Sequence, residues 1–197
     1  MTTYYDDMSE SAALNYLAGT TDFGDAAAIR LIAAYIDAAT GTGSPEGVVT
    51  APVGSTYIDT AATTGAIKWI KATGTGNTGW VVQYGNTGVR NLAAVSLSNS
   101  WTVDSSVFTV QRVGNVVTTT GWFSGASASA GAVYTYPAGF RPSASTLGLF
   151  ASVGATPKLA TITTVGVLTI YSYTTGVHYV AHTYITADAW PTSLPGS

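Results

Sequence analysis

The sequence predicts a mainly β protein in three parts: an N-terminal α-helix, a small β module, and an antiparallel β-sandwich or jelly-roll head. Beyond the first 40 residues or so, short runs of β-branched and aromatic residues recur with turn signals between them. Many of the 22 glycines separate these runs, and no helical pattern lies between them. Closely spaced short strands of this kind are typical of sandwiches and jelly rolls. We therefore divide the chain into residues 1–44, 45–90 and 91–197.

The N-terminal part predicts a helix over residues 22–39, because it is rich in alanine and isoleucine and is followed by Gly41. Its isoleucines fall at a, d and a positions of a heptad, with Ala39 at the next d position. Isoleucine at both positions favours three- or four-stranded coiled coils. We predict a homotrimer interface here, and the alternative is an amphipathic helix packed on its own chain. The predicted interface residues are Ile29, Ile32 and Ile36.

Charge is unevenly distributed along the chain. Residues 1–47 contain seven acidic residues and one base, Arg30, for a net charge of −6, whereas residues 48–197 have a net charge of +3. This acidic segment is predicted to dock onto a partner protein, and a solvated tail is the alternative.

The small module is predicted to contain three strands, at residues 56–60, 66–72 and 80–84, after a Gly- and Pro-rich linker at 41–45. We expect Trp69 and Trp80 to pack in its core, because so small a module has few other ways to bury apolar area. A platform for a sugar is the alternative for these two rings.

In the head, Gly114 and Asn115 separate two β-rich runs and predict a hairpin with a primed turn. That register pairs Val113 with Val116 and assigns one face to the core. The predicted core residues are Phe108, Val110, Val117 and Phe123. The opposite face carries Trp122 among polar residues, namely Thr109, Gln111, Thr118 and Thr120.

The same alternation continues further along the chain. Ala160, Ile162, Leu168 and Ile170 are predicted core residues on two strands joined by a turn at 165–166, and a last strand covers residues 177–185. This parity places two tyrosines on a polar face, Tyr171 and Tyr173.

Flat rings beside hydroxyl side chains suit saccharide recognition, since the rings cover C–H faces and the hydroxyls bond sugar OH groups. We predict a saccharide site that includes Trp122, Tyr134, Tyr171 and Tyr173. The alternative is that these rings, and Trp190 with them, pack at a subunit interface.

Several function classes are excluded or disfavoured. The chain has no cysteine, so thiolate metal sites and cysteine nucleophiles are absent. His178 and His182 lie on a predicted strand, where residues four apart are separated by about 13 Å and cannot share one metal. A metal on a three-fold axis is the remaining alternative. The head has only two acids, Asp104 and Asp188, each near one end of the domain. We predict no catalytic residues, no enzyme activity, no resident metal and no cofactor.

The composition predicts that the protein associates with further copies of itself. Only 9% of residues are charged, against about 25% in typical domains, and so few charges protect poorly against association. No lysine and arginine cluster indicates nucleic-acid binding. Residues 1–7 lack the features of a secretory signal, and no apolar run reaches the roughly 18 residues of a membrane span. We predict an obligate homo-oligomer without membrane insertion.

Three motifs in the small module resemble small modules of tail and baseplate proteins from tailed bacteriophages. They are PEGV at 45–48, APVGSTY at 51–57 and KATGTGNTGW at 71–80, of which GTGNTGW at 74–80 is the most specific part. The head motifs resemble C-terminal heads of phage receptor-binding proteins: VGNVV at 113–117, PAGFRP at 137–142, TVGVLTI at 164–170 and ITADAWP at 185–191. The loop at 124–132 matches no motif of that family.

The resemblance implies a homotrimeric, non-catalytic protein of the virion tail tip or baseplate that binds a saccharide of the host cell wall. The N-terminal segment would then dock onto other tail proteins. A structural tail component without a ligand is the alternative. The resemblance transfers no binding residue. Within the PAGFRP motif we expect Phe140 to be buried and Arg141 to be structural, since the two prolines make a rigid corner.

Overall fold

The computed structural model describes residues 39–125, 131–152, 158–171 and 176–197. These residues form strands and loops and contain no helix, so the mainly β prediction is confirmed. The strands are β1 Ala39–Gly41, β2 Thr56–Asp59, β3 Ala66–Lys71, β4 Trp80–Gly85, β5 Arg90–Asn91, β6 Thr102–Val113, β7 Val116–Gly125, β8 Gly131–Thr135, β9 Thr146–Ser152, β10 Lys158–Ile162, β11 Val167–Ile170 and β12 Gly176–Ile185.

The predicted helix lies almost entirely outside the described residues, and so does its proposed interface of Ile29, Ile32 and Ile36. One part of that prediction is wrong. Ala39, placed at the end of the helix, belongs to strand β1 and pairs with Tyr57 of β2 in a parallel arrangement. A parallel partner far along the chain leaves no local signal, and alanine has a high intrinsic helix propensity.

The small sheet has the strand order β1-β2-β3-β4. Its three antiparallel strands begin where the sequence predicts and end within one residue of the predicted positions. The buried cluster of this sheet is aromatic, and the rings of Tyr57 and Trp80 meet edge to face at 6.1 Å between centroids. Trp69 and Trp80 are both buried, which confirms the packing expected for them.

The head is an eight-stranded arrangement in the order β5-β6-β7-β12-β9-β10-β11-β8. It curls over one core, so that Phe108 on β6 meets Tyr134 on β8 with ring centroids 5.1 Å apart. The end strands β5 and β8 are not paired with each other, and the arrangement is open and sandwich-like.

The hairpin register of β6 and β7 agrees with the prediction. Val113 pairs with Val116 across the turn, and Phe108 lies opposite Gly121. Gly114 adopts a φ of +58°, which the turn requires and glycine tolerates without a Cβ clash. The four predicted core residues of this hairpin are all buried.

The later strands show the same agreement in parity. Ala160, Ile162, Leu168 and Ile170 are fully buried, and β10 pairs with β11 around the predicted turn. Strands β8 and β9 were not predicted, because glycine, alanine and serine obscure the alternation there. No helix in the described ranges is long and apolar enough to cross a membrane.

Candidate functional site

The outer face of β6, β7 and β12 presents an aromatic pair. Trp122 on β7 lies directly opposite Tyr179 on β12, and their ring centroids are 4.9 Å apart at an interplanar angle of 86°. Both side chains are half-buried. Alternation along β7 fixes this orientation, because Phe123 and Gly121 on either side point into the core.

Hydroxyl and amide groups surround this pair on the same face. The hydroxyl groups of Thr118 and Thr183 are 3.1 Å apart across the strands, and Gln111 lies opposite Thr118 on β6. Thr120 lies between Thr118 and Trp122 along β7. We define the outer aromatic face as Trp122, Tyr179, Thr118, Thr120 and Thr183. It offers ring surface next to hydroxyl groups and has no carboxylate among its members.

Tyr179 was missed by the sequence reasoning. Strand alternation could have found Tyr179. This side chain points to the same face of β12 as Val177 and Thr183, and the other face carries His178 and His182. Both histidines are buried, so the opposite set must face outward.

The other predicted site residues do not join this face. Tyr171 follows β11 and is 40% exposed, but β11 lies four strand positions from β7, about 19 Å along the sheet. Tyr134 packs edge to face on Phe108 and Tyr136, each at 5.1 Å, which leaves only part of its ring free for a ligand. Burial raises the pKa of Tyr134 above its ordinary value. Tyr173 lies outside the described residues.

The same outer face becomes apolar toward the hairpin turn. Val113, Val116 and Ile185 lie side by side on β6, β7 and β12, and each is at least a third exposed. We call these three residues the apolar row. Neighbouring exposed apolar residues in register suit contact with another protein surface.

The junction between the small sheet and the head is organised by Arg112. Its guanidinium donates hydrogen bonds to the carbonyls of Gly114, Gly139, Ala189 and Asp188 at 2.6–3.0 Å. Burial lowers the pKa of Arg112, and the nearby carboxylate of Asp188 opposes that shift. An arginine stays charged through such shifts, so this buried cation ties the hairpin turn to the C-terminal tail.

Asp188 holds the predicted corner in place. One carboxylate oxygen accepts the backbone N–H groups of Gly139 at 2.8 Å and Arg141 at 3.3 Å. Phe140 is fully buried, and the Arg141 side chain donates to the carbonyl of Tyr136 at 3.3 Å. The expected burial of Phe140 is confirmed, and these contacts fit a structural role for Arg141.

Trp190 then bridges the two sheets. Its indole N–H donates to the Thr64 carbonyl at 3.0 Å, and its ring packs over the Arg112 guanidinium at 4.8 Å. A Cβ on Gly85 would lie 2.6 Å from the Trp190 ring, so the indole needs glycine at that position. Trp190 therefore packs within one chain, between the small sheet and the head.

A cleft of about 550 Å³ opens beside this bridge. Its walls come from the small sheet and its preceding loop, from Arg112, and from the C-terminal tail. We call it the junction cleft. Its lining residues are Ser44, Glu46, Trp69, Trp80, Val81, Val82, Arg112, Ala187, Asp188, Ala189, Trp190 and Thr192. The junction cleft was not predicted, because its three tryptophans are separated by up to 121 positions in the sequence.

In the described ranges, no group of three or more His, Cys, Asp or Glu side chains could hold a metal ion. The carboxylate of Asp104 accepts hydrogen bonds from the hydroxyl groups of Ser105 at 2.5 Å and Ser124 at 3.1 Å. Asp188 holds the corner near the opposite end of β7, so the described carboxylates of the head do not pair as in a glycosidase.

No protein-family model matches this chain, and no curated protein matches it.

Proposed function

We propose that the protein is a non-catalytic receptor-binding protein of a tailed-phage tail tip that attaches the virion to a host cell-surface saccharide. The outer aromatic face is the observation that carries the saccharide part of this proposal. The phage part rests on the motif resemblance in the small module and the head. The N-terminal segment would dock onto other tail or baseplate proteins, and three copies would assemble around one axis.

The position of the aromatic pair supports this role. The small module contacts the hairpin turn through the Gly114 N–H and the Gly85 carbonyl, 3.0 Å apart. Trp122 lies six residues along β7 from Val116, which is about 20 Å from the turn at 3.3 Å per residue. The pair is therefore near the end of the head that points away from the small module, where an attached protein would meet a cell surface.

Binding to an array of bacterial cell-wall saccharides tests the proposal. Trp122→Ala and Tyr179→Ala should each weaken binding about tenfold, the equivalent of ~1–2 kcal/mol for one stacking ring. Tyr84→Ala is the matched control, since Tyr84 is an exposed tyrosine of the small sheet. Tyr171→Ala tests whether the second tyrosine surface takes part. An array without any bound saccharide would overturn the saccharide role. Equal binding by all variants would overturn the outer aromatic face as the binding site.

The second candidate is a structural tail or baseplate component with no ligand of its own. The apolar row favours it, because this surface fits a protein neighbour better than a sugar. Under this alternative the protein would assemble normally and bind no saccharide. The array separates the two functions, because both predict the same assembly and only the first predicts a bound saccharide.

A further inference from the structure

We infer that the junction cleft is a second ligand site, and that its ligand is a neutral pyranose sugar. It lies between the small sheet and the C-terminal tail and shares no residue with the outer aromatic face. The inference therefore does not depend on the site proposed above. Its volume of about 550 Å³ falls within the ~300–1,000 Å³ typical of small-molecule sites.

The rings that line the cleft are fixed before a ligand arrives. The Trp80 indole donates to the Val49 carbonyl at 2.8 Å, and the Trp190 indole donates to the Thr64 carbonyl at 3.0 Å. Arg112 further holds Trp190 from one side. Indoles that are already positioned lose little conformational freedom on binding, which favours affinity for a small apolar ring surface.

The charges around the cleft argue for a neutral ligand. Glu46 uses both carboxylate oxygens on the backbone N–H groups of Gly79 at 3.2 Å and Trp80 at 2.7 Å. Arg112 has four of its five N–H donors committed to backbone carbonyls. The Arg112 guanidinium therefore has few N–H groups left to bind a ligand, and the carboxylates of Glu46 and Asp188 border the cleft. Both features disfavour phosphate and other anionic ligands.

Hydroxyl partners remain along the same walls. Ser44 and Thr192 bring hydroxyl groups to the cleft, and both residues are exposed. Trp69 and Trp80 are buried, so they line the cleft with little open ring surface, whereas Trp190 is half-buried. A partly open indole beside hydroxyl groups matches a pyranose, which has C–H faces and OH edges.

Indole N–H resonances give a direct test. The intact chain is titrated with the methyl pyranosides of glucose, galactose and N-acetylglucosamine, each to 50 mM, and the five tryptophans are assigned by single Trp→Phe variants. Shifts at Trp69, Trp80 and Trp190, without shifts at Trp101, support the cleft. Shifts at Trp122 alone would overturn the cleft while supporting the outer aromatic face. No shift with any of the three sugars would also overturn it.

A matched pair of substitutions separates the cleft from nonspecific effects. Val81 is exposed and lines the cleft, whereas Val89 is exposed and does not. Val81→Arg should raise the dissociation constant at least about tenfold by filling the cleft, and Val89→Arg should leave it unchanged. Equal binding by wild type and a correctly folded Val81→Arg protein would overturn the inference.

Discussion

Arg112 is a buried cation whose hydrogen bonds go to four backbone carbonyls from three separate segments of the chain. Removing it would leave these acceptors unpaired in a region that water reaches poorly. A buried acceptor without a partner costs about 1–3 kcal/mol, and breaking a buried charged network costs about 3–5 kcal/mol. This residue therefore contributes more to stability than its single charge suggests.

Arg112→Met should lower the free energy of unfolding by about 3–5 kcal/mol, measured by chemical denaturation. Arg90→Met is the matched control, because the Arg90 side chain bonds the Pro195 and Gly196 carbonyls and is partly exposed. The control should cost about 1–2 kcal/mol or less. Equal losses in the two variants would show that Arg112 does not organise the junction.

No local pattern predicts the role of Arg112. Its bonds span up to 77 positions, and they go to backbone atoms that every residue type carries. Trp122 is different, because its orientation follows from strand parity and from the Gly114–Asn115 turn. Single residues were predictable where a regular strand fixed their direction, and unpredictable where tertiary contacts brought distant segments together.

At the scale of elements, most of the correct predictions came from the alternation of apolar and polar residues along the strands. The β6–β7 hairpin and the β10–β11 pair have the expected register, because one face of each is strongly apolar and a slip by one residue would expose it. Strand β1 was not predicted, because three residues are too few to show the alternation of apolar and polar residues that marks a strand. The junction cleft was not predicted either, because its walls come from a loop, two sheets and the tail, which are far apart in the sequence.

The packing of strand β4 on the tail gives a second prediction. Gly85→Ala should destabilise the protein by about 1–3 kcal/mol, because its Cβ would overlap the Trp190 ring. The cost should fall in a Trp190→Ala background, where the ring is gone, and a double-mutant cycle measures this coupling. Gly76→Ala is the control, since no atom lies within 4 Å of its added Cβ. Additive losses would contradict direct packing.

At the scale of the whole molecule, one group of contacts at the C-terminal tail joins the two sheets, and we call it the clamp. Arg112 holds the tail, Asp188 holds the PAGFRP corner, and Trp190 contacts the small sheet. The clamp lies at one end of the head, and the aromatic pair lies toward the other. A protein that transmits attachment from a virion to a cell surface would benefit from a fixed orientation between these two ends.

Assembly is the property of the whole molecule on which the proposed architecture depends. With 9% charged residues and an exposed apolar row, the surface is poorly suited to an isolated monomer. We expect sedimentation or light scattering to give about three times 20.1 kDa. A clean monomer at micromolar concentration would contradict the homotrimer.

Two sets of substitutions locate the interface. Val116→Lys with Ile185→Lys should weaken assembly if the apolar row is buried between copies, because each lysine would carry an unpaired charge into the contact. Val48→Lys with Val165→Lys is the matched control, since both valines are exposed and lie away from the row. Ile32→Asp with Ile36→Asp tests the N-terminal segment separately. A wild-type mass for the row variant and a lower mass for the isoleucine variant would assign assembly to the N-terminal segment; the reverse would assign it to the head.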